Sequence, residues 1–179
     1  GTAVAMIAAG RTNSGPGATI TGVAPKAFLG NYKVFGSPGV NDTTYSDVVI
    51  AALEDALADG MDIVTLSLGS PALYGPLDTG SICGETASQP CDVRAQAVEN
   101  AVKAGLTVVV GAGNDGDIGI KFPTLTTITT PGTAPSAITV GATTNSHVWF
   151  SSVQVTGTDV PGELRNIRAR FGDGPKPDP

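Results

Sequence analysis

The densest chemical signal in the chain is Gly111-Ala112-Gly113-Asn114-Asp115-Gly116, which directly follows the apolar run Leu106 to Val110. Its spacing satisfies G-x-G-x-x-G, the pattern of a loop that holds a dinucleotide pyrophosphate against the first amides of a helix. The residues that follow do not suit a helix. Lys121-Phe122-Pro123, then Thr124, Thr126, Thr127, Thr129 and Thr130, combine a proline with β-branched side chains, and both disfavour helical backbone. No clear acidic residue for a ribose follows about 20 positions on, so a nucleotide site is disfavoured. A second chemistry is hydrogen-bond donation. An amide held at the end of a buried strand, between glycines that let a substrate approach the backbone, is what acyl transfer needs where a carbonyl oxygen becomes negative. Asn followed by Asp-Gly is equally an ordinary turn, and these six residues alone do not separate donor from turn.

The two cysteines, Cys83 and Cys91, lie in a Gly/Ser/Pro-rich stretch with no paired histidine or further cysteine to complete a zinc site. A local disulfide is expected, and with it a secreted or otherwise extracytoplasmic setting. No metal site is read from these residues. The loop Arg11 to Thr21 offers Asn13 as an oxygen ligand, but a calcium ion wants six or more oxygens, so a plain surface loop is the better reading.

The elements that must position Asn114 follow from periodicity. Short β-branched runs alternate with helical patterns, which is the requirement of a parallel sheet with crossover helices and hence an α/β fold. Ala27 to Phe35 predicts a strand. Thr44 to Asp47 matches a capping box, after which Val49, Leu53, Ala56 and Leu57 share a helical face until Gly60. Asp62 to Leu68 predicts the next strand. Asp92 caps a second helix with the stripe Ala95, Val98, Ala101 and Val102, stopped at Gly105 before the strand Leu106 to Val110. Ala137 to Val140 is one more strand, and Ala3 to Ala9 a short small-residue helix. In an open parallel sheet, ligands bind at the carboxyl ends of strands. Two such ends, Ser67-Leu68-Gly69 and Gly111 to Asn114, are expected to line one cleft, with the long segment Ser70 to Pro90 at its rim.

At 179 residues, with 41% hydrophobic and only 15% charged residues, the chain is long enough for a sizeable core. A net charge of -6 repels phosphate backbones, and the cluster Arg165, Arg168 and Arg170 shares its tail with Glu163 and Asp173, so nucleic acid is not an expected partner. No apolar run approaches the roughly 18 residues of a membrane helix, and a membrane is not expected either. The chain opens on Gly1-Thr2 without an initiator Met, as a segment cut from something longer would.

Five motifs, in order, resemble the subtilisin-like serine protease family over roughly Gly1 to Ser152. Gly1-Thr2-Ala3-Val4-Ala5 is similar to the residues after the catalytic histidine in His-Gly-Thr-x-Val-Ala, and Gly22-Val23-Ala24-Pro25 to the family's turn into a strand. Asp62 to Gly69 resembles its Asp-Val-x-x-x-Ser-Leu-Gly strand, Val108 to Gly116 its Ala-Gly-Asn-x-Gly segment, and Pro131 to Ala142 its Pro-Gly-x-x-Pro run. The resemblance implies a three-layer fold with a mostly parallel central sheet flanked by helices, present here as a partial domain over 1–152, with 153–179 a tail toward a missing or inserted segment. It implies Asn114 as oxyanion-hole donor and Ser67, Leu68 and Gly69 as the edge that pairs with an extended polypeptide substrate. Gly111, Ala112 and Gly113 become the facing wall, Thr129 the pocket floor, and Pro131 a cis proline.

The departures limit this reading. The aspartate and histidine of the triad are expected before Gly1, no serine has the Gly-Thr-Ser-Met-Ala setting, and His147 follows Asn114 in the wrong order for a general base. The expected function is therefore a serine endopeptidase whose remaining peptidase domain is this chain's partner, the fragment itself being inactive and requiring no cofactor. The rival is a catalytically dead peptide-binding module of the same fold.

Overall fold

The computed structural model describes residues 1–15, 17–37, 39–85, 89–117, 127–143 and 151–169. It divides into two units, Gly1–Ala142 and Thr143–Pro179. In the first, helix α1 (Thr2–Ala9) precedes a small antiparallel pair, β1 (Asn13–Ser14) and β2 (Thr19–Ile20). Then come α2 (Ser46–Ala58), β3 (Ile63–Leu66), α3 (Val93–Lys103), β4 (Thr107–Gly111) and β5 (Ile138–Val140). The strands form one parallel sheet in the order β3-β4-β5, with Val64 opposite Val108 and Val110 opposite Thr139. In the second unit β6 (Ser151–Val153) pairs antiparallel with β7 (Ile167–Ala169).

The α/β architecture follows from two periodicities meeting. In α2, Val49, Leu53 and Ala56 recur at helical spacing and are buried, while Leu57, at the edge of that stripe, is 39% exposed. In α3, Ala95, Val98 and Ala101 do the same, and with Leu53, Leu106, Val108, Val110 and Ala134 they form one core cluster. Val64 and Leu66 of β3 pack on it from the sheet. Each helix stops in the same way. Met61 N donates to Ala56 O and Gly60 N to Leu57 O, and Leu106 N donates to Ala101 O and Gly105 N to Val102 O. These are paired C-terminal bonds whose left-handed corner falls on Gly60 (φ 74°) and Gly105 (φ 110°), a conformation other L-residues adopt only at a cost. A short connection then drops the chain into the adjacent parallel strand.

Two expectations fail. Ala27 to Phe35 is not a strand; its backbone joins no ladder, and Phe28 and Leu29 are 99% and 60% exposed. A strand is defined by a partner, and β3, whose one ladder runs to β4, has none on its other edge among the described residues. The capping box at Thr44 also fails. Helix α2 starts one residue later, with Tyr45 at the cap and no side-chain cap bond, so Asp47 is left in the first turn and Thr44 Oγ1 is buried without a partner among the described residues. The prediction at Asp92 holds, its carboxylate accepting from Arg94 N and Ala95 N.

Candidate active site

The carboxyl ends of β3 and β4 converge on a cleft of about 430 Å³ lined by Ser67, Leu68, Gly69, Ser70, Pro71, Gly111, Gly113, Asn114, Asp115 and Thr129. Seven of the eight residues singled out from the sequence are therefore brought together on one surface. The eighth, Ala112, serves through its backbone, its N–H donating to Val140 O at 2.9 Å and its carbonyl accepting from Thr129 N at 3.0 Å. Those two bonds tie the end of β4 to β5 and to the segment carrying Thr129.

Thr129 is 7% exposed and wedged between the two glycine walls. A Cβ on Gly69 would stand 2.4 Å from Thr129 Oγ1, and one on Gly113 would stand 2.6 Å from Thr129 Cγ2. Gly113 also has φ 93°, so backbone conformation and space both require glycine there. Directly after it, Asn114 is exposed and leads into the short helical turn Asp115–Asp117. The arrangement presents an amide at the strand end with nothing bulkier than a hydrogen on the residue before it.

The floor is closed from behind. Ser70 and Thr130 exchange backbone hydrogen bonds at 3.1 and 2.9 Å, and the Thr130-Pro131 peptide is cis. The turn after it is held by Glu99, a fully buried carboxylate of α3 that accepts from Ser136 N at 2.6 Å and Ser136 Oγ at 2.9 Å. Cys83 and Cys91 form the expected disulfide. Beside it the buried Asp78 accepts from Cys91 N, Asp92 N and Gly80 N at 2.9, 2.8 and 3.2 Å, while its own N–H donates to Thr133 O at 2.9 Å.

Ser70 and Pro71 open the segment expected at the cleft rim and do line it, whereas Asp115 was passed over as a lining residue although it adjoins Asn114. Sequence reasoning also missed Asp78 and Glu99. Little local marks either, because Ser136, the partner of Glu99, lies 37 residues away and the partners of Asp78 apart from Gly80 lie 13 or more residues away. Asn13 lies in an exposed hairpin paired with Ile20, and among the described residues no three His, Cys, Asp or Glu side chains converge. His147, Phe150 and the run Lys121 to Thr126 lie outside the described residues, as do Arg170 and Asp173.

The sequence model of the Subtilase family matches residues 1–166. The chain is 32% identical over 161 residues, 84% of its length, to the PI-type proteinase of Lactococcus lactis subsp. cremoris. It is 34% identical over 136 residues, 75% of its length, to Subtilisin NAT of Bacillus subtilis subsp. natto, and 37% identical over 125 residues, 70% of its length, to the Minor extracellular protease Vpr of Bacillus subtilis (strain 168). It spans 8%, 29% and 12% of those relatives respectively. With a glycine-walled cleft at the ends of parallel strands and a family match across most of its length, this chain belongs to the subtilase family.

Proposed function

We propose that this chain supplies the oxyanion donor and the substrate walls of a serine endopeptidase, whose aspartate, histidine and serine come from outside residues 1–179. The observation that carries the reading is the convergence of Asn114 with Ser67, Leu68, Gly69, Gly111 and Gly113 on one cleft. An extended peptide pairs its main chain along Ser67–Gly69 and inserts a side chain between the two glycine walls, so that backbone bonds give affinity and the pocket gives selectivity. When the nucleophile adds to the scissile carbonyl, the C=O π pair moves onto oxygen, and the Asn114 amide donates to that oxyanion. Collapse of the adduct breaks the C–N bond, the histidine from outside this chain returning the nucleophile's proton to the leaving amine, and leaves an acyl-enzyme for water to hydrolyse.

The disulfide supports an extracytoplasmic setting, as does the description of one relative as an extracellular protease. The reading is tested with a serine-directed fluorophosphonate. The full-length protein is expected to label and to hydrolyse casein, and the 179-residue chain to do neither. Labelling of the chain alone would overturn the assignment of the nucleophile. A full-length protein that binds peptide without labelling would establish the inactive homologue instead.

A further inference from the structure

The cleft wall that follows β3 does not end at Gly69. Ser70 also lines the cleft, and its backbone is fixed on both sides by Thr130. Its side chain is fixed as well, since Nη2 of Arg94, in the first turn of α3, lies 2.6 Å from Ser70 Oγ. A guanidinium can only donate. Ser70 Oγ is therefore the acceptor in that bond, and its own proton is left to give, on a hydroxyl polarised by a neighbouring positive charge.

We propose that Ser70 is a substrate-binding donor, giving its hydroxyl proton to a main-chain carbonyl of the extended peptide, and that Arg94 is the positioning residue that orients it. The proposal deepens the endopeptidase reading and rests on it for the identity of the ligand. Arg94 is itself held in place. Its Nη2 also contacts Asp92 Oδ2 at 3.3 Å, Asp92 N donates to Asp78 Oδ2, and Asp78 N donates to Thr133 O beyond the Ser70–Thr130 bridge. The circuit closes on the wall it began from and ties the disulfide-bearing loop to the cleft. Arg94 Nε is buried with no hydrogen-bond partner among the described residues, so the Nη2 bonds to Ser70 and Asp92 are the polar contacts that fix the guanidinium here.

The test is steady-state hydrolysis by the full-length protein of one extended peptide and of a truncated peptide that stops short of Ser70. Ser70→Ala and Arg94→Met are each expected to raise KM for the extended peptide roughly three- to tenfold, as loss of one hydrogen bond does. The truncated peptide is expected to be unaffected and kcat to stay within about twofold. The double variant should be no worse than either single one, because the two residues act through one bond. Arg94→Lys should recover part of the loss. An active enzyme in which Ser70→Ala leaves both KM values unchanged would overturn the proposal, as would an Arg94→Met that lowers only Tm and kcat. If the wild-type protein hydrolyses nothing, the endopeptidase reading fails separately. The proposal is then decided by calorimetric binding of the extended peptide, where equal affinity of wild type and Ser70→Ala overturns it and a matching loss sustains it.

Discussion

The donor role proposed for Asn114 rests on what its neighbours lack. Gly113 has a backbone that L side chains rarely adopt and no room for a Cβ beside Thr129, so the amide follows a residue with no side chain to shield it. Asn114 is exposed, and its replacement should cost little stability while removing one preorganised donor. Under the proposed endopeptidase reading, Asn114→Ala in the full-length protein is expected to lower kcat by about 10²- to 10³-fold with KM little changed. That magnitude was measured for a subtilisin, a member of this same family, and is not an independent estimate. A loss below about threefold in stopped or continuous assays would mean that the oxyanion is held by other donors. Asn114 was legible in the sequence as a type and a place; Thr129, which lines the same cleft, was legible only through family resemblance. The wedge between Gly69 and Gly113 depends on two loops 44 residues apart meeting around a third.

At the scale of the element, α3 is the organising piece. Its first turn is capped by Asp92, its middle buries Glu99 against the turn after Pro131, and Arg94 reaches the cleft wall. Burial pushes the Asp92 carboxyl up, but the Arg94 side chain and the amides of Ala95 and Arg94 outweigh it and hold the group below its ordinary 3.8. A carboxyl depressed on folding contributes stability that is complete above 3.8 and is lost as pH falls through the lower folded value. Asp92→Ala is thus expected to lose about 1 kcal/mol at neutral pH, a modest figure because the side chain is partly solvated and its ion pair screened. Asp92→Asn, which still caps, should retain most of that stability but lose the extra acid dependence. Urea unfolding of the three proteins between about pH 5 and pH 2 checks this. If all three curves fall in parallel, the carboxylate contributes nothing as an anion. The cap was readable because its donors are two and three residues away. The failed box at Thr44 shows the limit, since the same short pattern was outweighed by where α2 docks.

The whole molecule shows an imbalance between the two faces of its main sheet. Val64, Leu66, Val108 and Val110 face α2 and α3, but on the opposite face Ile63, Ile138 and Val140 are 62%, 53% and 52% exposed. Helix α1 contributes no buried residue to cover them. Large apolar side chains this exposed on one sheet face are candidates for association. The purified 179-residue chain is therefore expected to enhance the fluorescence of a hydrophobic dye and to self-associate with rising concentration. Val140→Lys should reduce both with little change in unfolding midpoint, because the side chain already meets water. Dye fluorescence no higher than that of a compact control, with light scattering independent of concentration, would mean that this face is not available.

Residue order by itself determined the α/β class, the two helix stops at Gly60 and Gly105, the cap at Asp92, the disulfide and the placing of Asn114 at the end of a buried strand. Each is set by neighbours within a few residues, or by a period that one face of one element reveals. Only the tertiary structure decided that Ala27 to Phe35 finds no ladder, that the Thr129 side chain fills the space a Cβ on Gly69 or Gly113 would need, and that Asp78, Glu99 and Arg94 tie distant loops to the cleft. Those outcomes depend on partners that folding brings from far along the chain, where no local preference records them.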